Sequence, residues 1–121
     1  MTLQRVLQVA FWGALALTFV NAELPQAYAP QLPVWDKALH FGCFVVLALI
    51  GAGAYPRQPL ALAAGLAAFG ALIEIVQALP AIHRDADVRD WIADLLGIGI
   101  ALASLRLSGL PRIRRAQEPG R

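Results

Sequence analysis

Charge is scarce in this chain, and cysteine scarcer. Only 15% of its 121 residues are Asp, Glu, Lys or Arg, where soluble domains carry roughly 25%. So little polar surface excludes an ordinary water-soluble globule. The basic residues are few, leave a net charge of +2 and gather toward the C-terminus, which argues against a nucleic-acid-binding face. Cys43 is the one cysteine, so no disulfide can close within the chain and cysteine usage says nothing about redox compartment. The length suits one domain.

What fills the space is apolar sequence. Hydrophobic residues make up 59% of the chain, and the mean hydropathy is +0.61. Four runs stand out. Val6–Ala22 is broken only by Gln8, Thr18 and Asn21, and Ala38–Tyr55 is apolar apart from His40. Leu60–Leu79 is broken by Glu74 and Gln77, and Val88–Leu107 is polar at its start and apolar from Leu95. A membrane-spanning helix needs about 20 such residues, within a range of roughly 17–25. The expectation is an all-α, four-helix transmembrane bundle with short loops. Residues 1–110 form the four-span domain and residues 111–121, "PRIRRAQEPGR", a basic cytoplasmic tail. The first run has a rival reading, because "VNAELP" offers small residues for signal-peptidase cleavage after Ala22. Its n-region holds Arg5 alone, so an uncleaved first span is expected.

Lys and Arg in short loops set orientation. Seven of them, Arg5, Arg57, Arg106, Arg112, Arg114, Arg115 and Arg121, fall on one side, and three, Lys37, Arg84 and Arg89, on the other. Both termini are therefore expected in the cytoplasm, in a multi-pass protein. The turn "YPRQP" makes the second and third spans an antiparallel hairpin. In "ELPQAYAPQLPVW" the prolines oppose helix, and Tyr28 and Trp35 suit the headgroup level, so this loop is expected to lie extended on the outer surface. Pro80 ends the third helix, and Asp85 or Asp87 is expected to cap the fourth.

This topology brings the polar residues of three spans to one membrane face. Asp36, Lys37 and His40 open the second span, Glu74 and Gln77 close the third, and Asp90 and Asp94 open the fourth. At 1.5 Å per residue, Glu74 lies about 8 Å inside the end of its helix, Asp94 about 9 Å inside the start of its own, and His40 about 6 Å from Asp36. Helical spacing puts Asp36, Lys37 and His40 on one face, and Asp90 and Asp94 on another. Small residues continue these faces, namely Ala71, Gly70, Ala67 and Ala63 in the third span and Gly97 and Ala101 in the fourth. Small residues let helix backbones approach closely in lipid. The charged faces are thus expected to point into the bundle, where ionisable groups are costly unless paired or wet. His40, Glu74 and Asp94 are expected within about 10 Å of one another between Cα atoms, near the usual helix–helix spacing. Arg84 is expected above them, able to pair with Glu74 or one of the aspartates. Two readings stand side by side: a polar pocket open to the outer side, or a polar latch that fixes helix register.

At these residues the chain resembles the VanZ-like membrane protein family. The resembling motifs are "DKALHFGCFVVLALI" at 36–50, "EIVQ" at 74–77 and "RDADVRDWIADLLG" at 84–97. With the apolar runs they cover most of the chain except the first span and the tail. The order D-K-x-x-H-F, E-x-x-Q, R…D-x-x-A-D-x-x-G is a specific set. Many members carry Asn where this chain has Asp94, so the cluster here gains a negative charge. The resemblance implies a small helical protein of the bacterial cell envelope, in the cytoplasmic (inner) membrane. The family takes its name from a member linked to teicoplanin resistance, and for this chain that link rests on the name alone.

One reading of the site is an enzyme or binding protein for an envelope lipid or lipid-linked precursor. Glu74 is then the candidate general base or acid and His40 its partner, with Asp90 and Asp94 orienting them. Lys37 and Arg84 are the candidate phosphate ligands, with Gln77 and Asp36 lining the site. Ser104 and Ser108 fall at the cytoplasmic end and Cys43 lies a turn deeper than His40, which argues against acyl transfer through a serine. The second reading is a non-catalytic protein whose cluster serves folding and partner contact. Metal binding by His40, His83, Glu74, Asp90 and Asp94 suits the residue types, but no H-E-x-x-H motif is present. No metal and no cofactor is expected from sequence, and membrane lipids are the expected partners. A proton pathway fits least, because the inner half of the bundle has no ionisable residue to continue one.

Overall fold

The structure, a computed structural model, describes residues 1–25, 27–28 and 36–109. Trp35, much of the proline-rich loop and the basic tail 111–121 lie outside the described residues. Four long helices account for nearly all the rest: α1 (Leu3–Glu23), α2 (Asp36–Ala54), α3 (Pro59–Gln77) and α4 (Val88–Ser108), with a 3-10 turn at Pro80–Ile82. All four are long and apolar enough to cross a membrane. The protein is an all-α, multi-pass membrane bundle.

The punctuation between helices is local chemistry. Pro59 stands in the first turn of α3, where a missing N–H costs nothing. Pro80 opens the 3-10 turn after α3 rather than extending it. Asp87 caps α4, its Oδ1 accepting from the Arg89 backbone N–H at 2.9 Å. Gly109 ends α4 at φ 70°, a left-handed conformation that glycine adopts without a Cβ penalty.

Contacts along the helices set the topology. Lys37 meets Asp90 and His40 meets Asp94, so α2 and α4 run parallel. Glu74 reaches Asp87, which sets α3 antiparallel to α4. Gln4 meets Ala54 at one end of α1 and Ala22 meets Gln77 at the other, so α1 opposes α2 and runs with α3. Around the bundle the order is α1, α2, α4, α3, and α2 packs most extensively on α4. Phe44, Leu47, Leu66 and Ile73 fill the core. Phe44 stacks toward Phe69 with ring centroids 6.0 Å apart.

The polar breaks in the first run have a purpose. Gln4 Nε2 and Gln8 Nε2 donate to the Ala54 carbonyl at 3.2 and 3.4 Å, satisfying an oxygen that the end of α2 leaves without an intrahelical partner. Thr18 Oγ1 lies 3.3 Å from Cys43 Sγ. Trp12 Nε1 donates to Tyr55 Oη at 2.8 Å, tying α1 to the α2–α3 turn. With no water in a hydrocarbon layer, such groups must find partners inside the protein. Even so, Phe11 is the only buried residue of α1, so most of that helix faces outward.

Candidate functional site

The polar residues of α2, α3 and α4 meet at one end of the bundle. They form a series that runs from rim to floor. Side-chain exposure falls from 38% at Asp87 and 22% at Lys37 to 13% at His40, 5% at Asp90 and 0% at Asp94. Each is placed by helix register. Lys37 and His40 are three residues apart on α2, and Asp90 and Asp94 four apart on α4, so two facing ladders form.

The rungs are short. Lys37 Nζ donates to Asp87 Oδ2 at 3.0 Å and to Asp90 Oδ1 at 3.1 Å. One turn deeper, His40 Nδ1 lies 2.9 Å from Asp94 Oδ1, and His40 Nε2 lies 3.9 Å from Asp90 Oδ2. Glu74 enters from α3, its Oε2 accepting from the Asp87 backbone N–H at 3.0 Å. That contact couples the end of α3 to the cap of α4. The Arg89 backbone N–H, and after it the Lys37 ammonium, hold the Asp87 carboxyl below the usual carboxylate range. The rim carboxylate is therefore ionised at neutral pH.

Below the ladders the backbones close in. A Cβ placed on Gly97 would lie 2.5 Å from the Phe41 carbonyl oxygen, so α4 rests directly on the backbone of α2. A Cβ on Gly70 would lie 2.8 Å from Asp94 Oδ2 and 3.1 Å from Trp91 Cδ1. Gly70 thus leaves the room that the buried Asp94 carboxylate occupies. Trp91 Nε1 in turn donates to the Ala67 carbonyl at 2.9 Å.

The expected convergence of His40, Glu74 and Asp94 is present, with a donor atom of each within 4.8 Å of the others. Asp36 is exposed in the first turn of α2, and it forms a similar group with His40 and Asp90. Two expectations need correction. Arg84 makes no ion pair with Glu74 or the aspartates among the described residues. Lys37 takes Asp87 and Asp90 instead, and Glu74 is engaged by a backbone N–H. Gln77 does not line the site. It is buried, and its Nε2 donates to the Ala22 carbonyl at 2.9 Å, holding the end of α1.

Lys37 and His40 bridge from α2 to α4 across the cluster. A cavity of about 230 Å³, lined by Gln4, Tyr55, Pro56, Arg57 and Gln58, lies at the opposite end of the bundle. His83 is exposed, adopts a left-handed φ of 52° and joins no group of metal-type donors among the described residues.

Sequence reasoning missed three members of this end. Asp87 was expected at most as a cap, yet it also pairs with Lys37. Gly70 was expected only as a packing residue. Glu23 was passed over, and both of its carboxylate oxygens are buried without a hydrogen-bond partner among the described residues. Its place as the last residue of α1 was the available signal, because it brings that carboxylate to the same end. Glu74 Oε1 and Asp94 Oδ2 are likewise buried and unbonded. No family model matches the chain, and neither does any curated protein or solved structure.

Proposed function

We propose that this chain is a VanZ-like integral membrane protein of the bacterial cell envelope, and that its polar end binds the headgroup of a lipid or lipid-linked envelope precursor from the outer side. One observation carries the reading. Buried carboxylate oxygens of Glu74 and Asp94 lack donors beneath a rim of Lys37 and Asp87. A fold that needed these groups only for packing would leave few such acceptors unmatched. Hydroxyl or amine donors of a headgroup fit the carboxylates, and Arg84, free of an ion pair to the cluster, fits a phosphate.

Glu74→Gln tests this with little damage to the fold, because the amide keeps an oxygen for the Asp87 N–H. Lipid extracted from the purified variant and analysed by mass spectrometry should lack a species enriched in the wild type, while the melting temperature stays within a few degrees. An unchanged lipid profile ends the proposal. The latch reading has its own support, since Lys37 and His40 tie together α2 and α4, the most extensively packed pair. It expects Glu74→Gln to leave the lipid unchanged and to lower the melting temperature.

The outward orientation rests on the distribution of Lys and Arg. In a Cys43→Ser background, a cysteine at Ala86 should react with an impermeant thiol reagent applied to whole cells, and one at Gln58 should not. Labelling at Gln58 alone would reverse the orientation and place the polar end in the cytoplasm.

A further inference from the structure

We propose that His40, Glu74 and Asp94 bind a single divalent transition-metal ion of the zinc type inside the polar end of the bundle. The ion would take the same two carboxylate oxygens that the headgroup reading assigns to a lipid's donors, so a lipid would then meet the ion rather than the carboxylates. Asp94 is fully buried, and its Oδ2 lacks a hydrogen-bond partner among the described residues. Glu74 Oε1 is in the same condition. A buried carboxylate oxygen without a donor is costly, and a cation removes the cost for both at once.

The geometry is close to what such an ion needs. One donor atom from each of the three residues lies within 4.8 Å of the others. Ligands about 2.0–2.2 Å from a tetrahedral ion stand roughly 3.3–3.6 Å apart, so closure asks for a contraction of about 1 Å or somewhat more at the widest pair. Glu74 can supply it, because its terminal torsion is broad. Its Oε2 keeps the Asp87 backbone N–H while Oε1 turns to the ion. Gly70 admits the Asp94 carboxylate itself, whose Oδ2 a Cβ there would meet at 2.8 Å.

The surroundings fit a ligated histidine. With Nδ1 turned from its 2.9 Å contact with Asp94 Oδ1 to the metal, His40 Nε2 faces Asp90 Oδ2 at 3.9 Å, and Asp90 is itself held by Lys37 at 3.1 Å. Closing that 3.9 Å gap to hydrogen-bond length would place a carboxylate behind the imidazole, which fixes the ring and strengthens the ligand. Charge agrees as well. Glu74, Asp87, Asp90 and Asp94 set four carboxylates against the one ammonium of Lys37, and with His40 neutral a divalent ion lowers the formal excess from −3 to −1. The imidazole nitrogen selects a first-row transition ion over Mg²⁺ or Ca²⁺, which prefer oxygen alone. Three protein ligands leave a coordination position free, the arrangement of zinc sites that act on a substrate.

The test uses the full chain purified in detergent, stripped with EDTA and dialysed against Zn²⁺ or Mg²⁺. Elemental analysis should find one Zn²⁺ retained per chain and no Mg²⁺ above the detergent blank. Glu74→Gln and Asp94→Asn should abolish stoichiometric retention, Asp90→Asn should weaken it about 10–100-fold, and Asp36→Asn should leave it unchanged. Circular dichroism checks each variant, and Glu74→Gln carries the test if Asp94→Asn does not fold. Wild-type Zn²⁺ at the blank level overturns the proposal. So does retention by Glu74→Gln, and so does loss in Asp36→Asn with retention in Glu74→Gln, which would move the ion to Asp36, His40 and Asp90. Because metal is read without lipid, failure here leaves the headgroup reading untouched.

Discussion

Replacing Gly97 with leucine should destabilise the bundle more than any other glycine substitution in the helices. A Cβ at this position meets the Phe41 carbonyl oxygen at 2.5 Å and the Val45 nitrogen at 3.2 Å. Both are backbone atoms, so no rotamer change relieves the clash and α4 must separate from α2. Overpacking typically costs about 1–3 kcal/mol and more when the backbone has to shift, so the loss should reach or exceed the top of that range. Gly53→Leu is the informative comparison. Its Cβ meets Leu7 Cδ1 at 2.9 Å, the far end of a flexible side chain, which can rotate away. Gly70→Leu should fall between, since it meets the Asp94 carboxylate and the Trp91 ring. Gly99→Leu is the control, with nothing within 4 Å of its Cβ. Melting temperatures in one detergent should rank Gly97 lowest, then Gly70, then Gly53, with Gly99 near wild type. Equal melting of Gly97→Leu and Gly99→Leu would refute the close approach of α2 and α4.

The second large effect is electrostatic. His40→Leu removes the group 2.9 Å from Asp94 and leaves a fully buried carboxylate without a charged partner. Breaking a buried pair from one side costs about 3–5 kcal/mol, because the remaining charge is stranded in a poorly polarisable interior. Removing that charge as well should return most of the loss. Asp94→Asn suits this purpose, since asparagine has nearly the same shape and satisfies part of the same space beside Gly70. In reversible unfolding from mixed micelles, His40→Leu should be strongly destabilised, and His40→Leu with Asp94→Asn should recover to within about 1–2 kcal/mol of wild type. A double variant no more stable than His40→Leu would show that the histidine matters through packing alone. The cycle also separates roles, because a latch needs only the pairing, whereas a metal or headgroup site loses its ligand in both variants.

Much of this protein follows from one-dimensional pattern. Four apolar runs of membrane-spanning length became four helices whose ends fall within a few residues of the runs, because in lipid an apolar segment has only the helix to satisfy its own backbone. Asp87 as cap, Pro80 as terminator and the inward charged faces were legible for the same reason: each depends on neighbours within a turn or on helical periodicity. The meeting of His40, Glu74 and Asp94 was also legible, since alternating spans and matched depths leave three polar groups at one level.

Tertiary structure alone decided which group pairs with which. Nothing in the order of residues says that Lys37, and not Arg84, takes Asp87 and Asp90. That choice depends on α2 and α4 lying parallel and in contact, which depends in turn on Gly97 admitting the backbone of Phe41. Gln77 reads as a site residue in sequence, yet the end of α1 arrives beside it with an unpaired carbonyl and claims its amide. Glu23 reaches the polar end simply as the last residue of α1, but only the packing around it buries both carboxylate oxygens without a hydrogen-bond partner among the described residues. Pairing and the bridging of the cluster by long side chains are set by contacts between residues some 50 apart in the chain, and local periodicity carries no information about them.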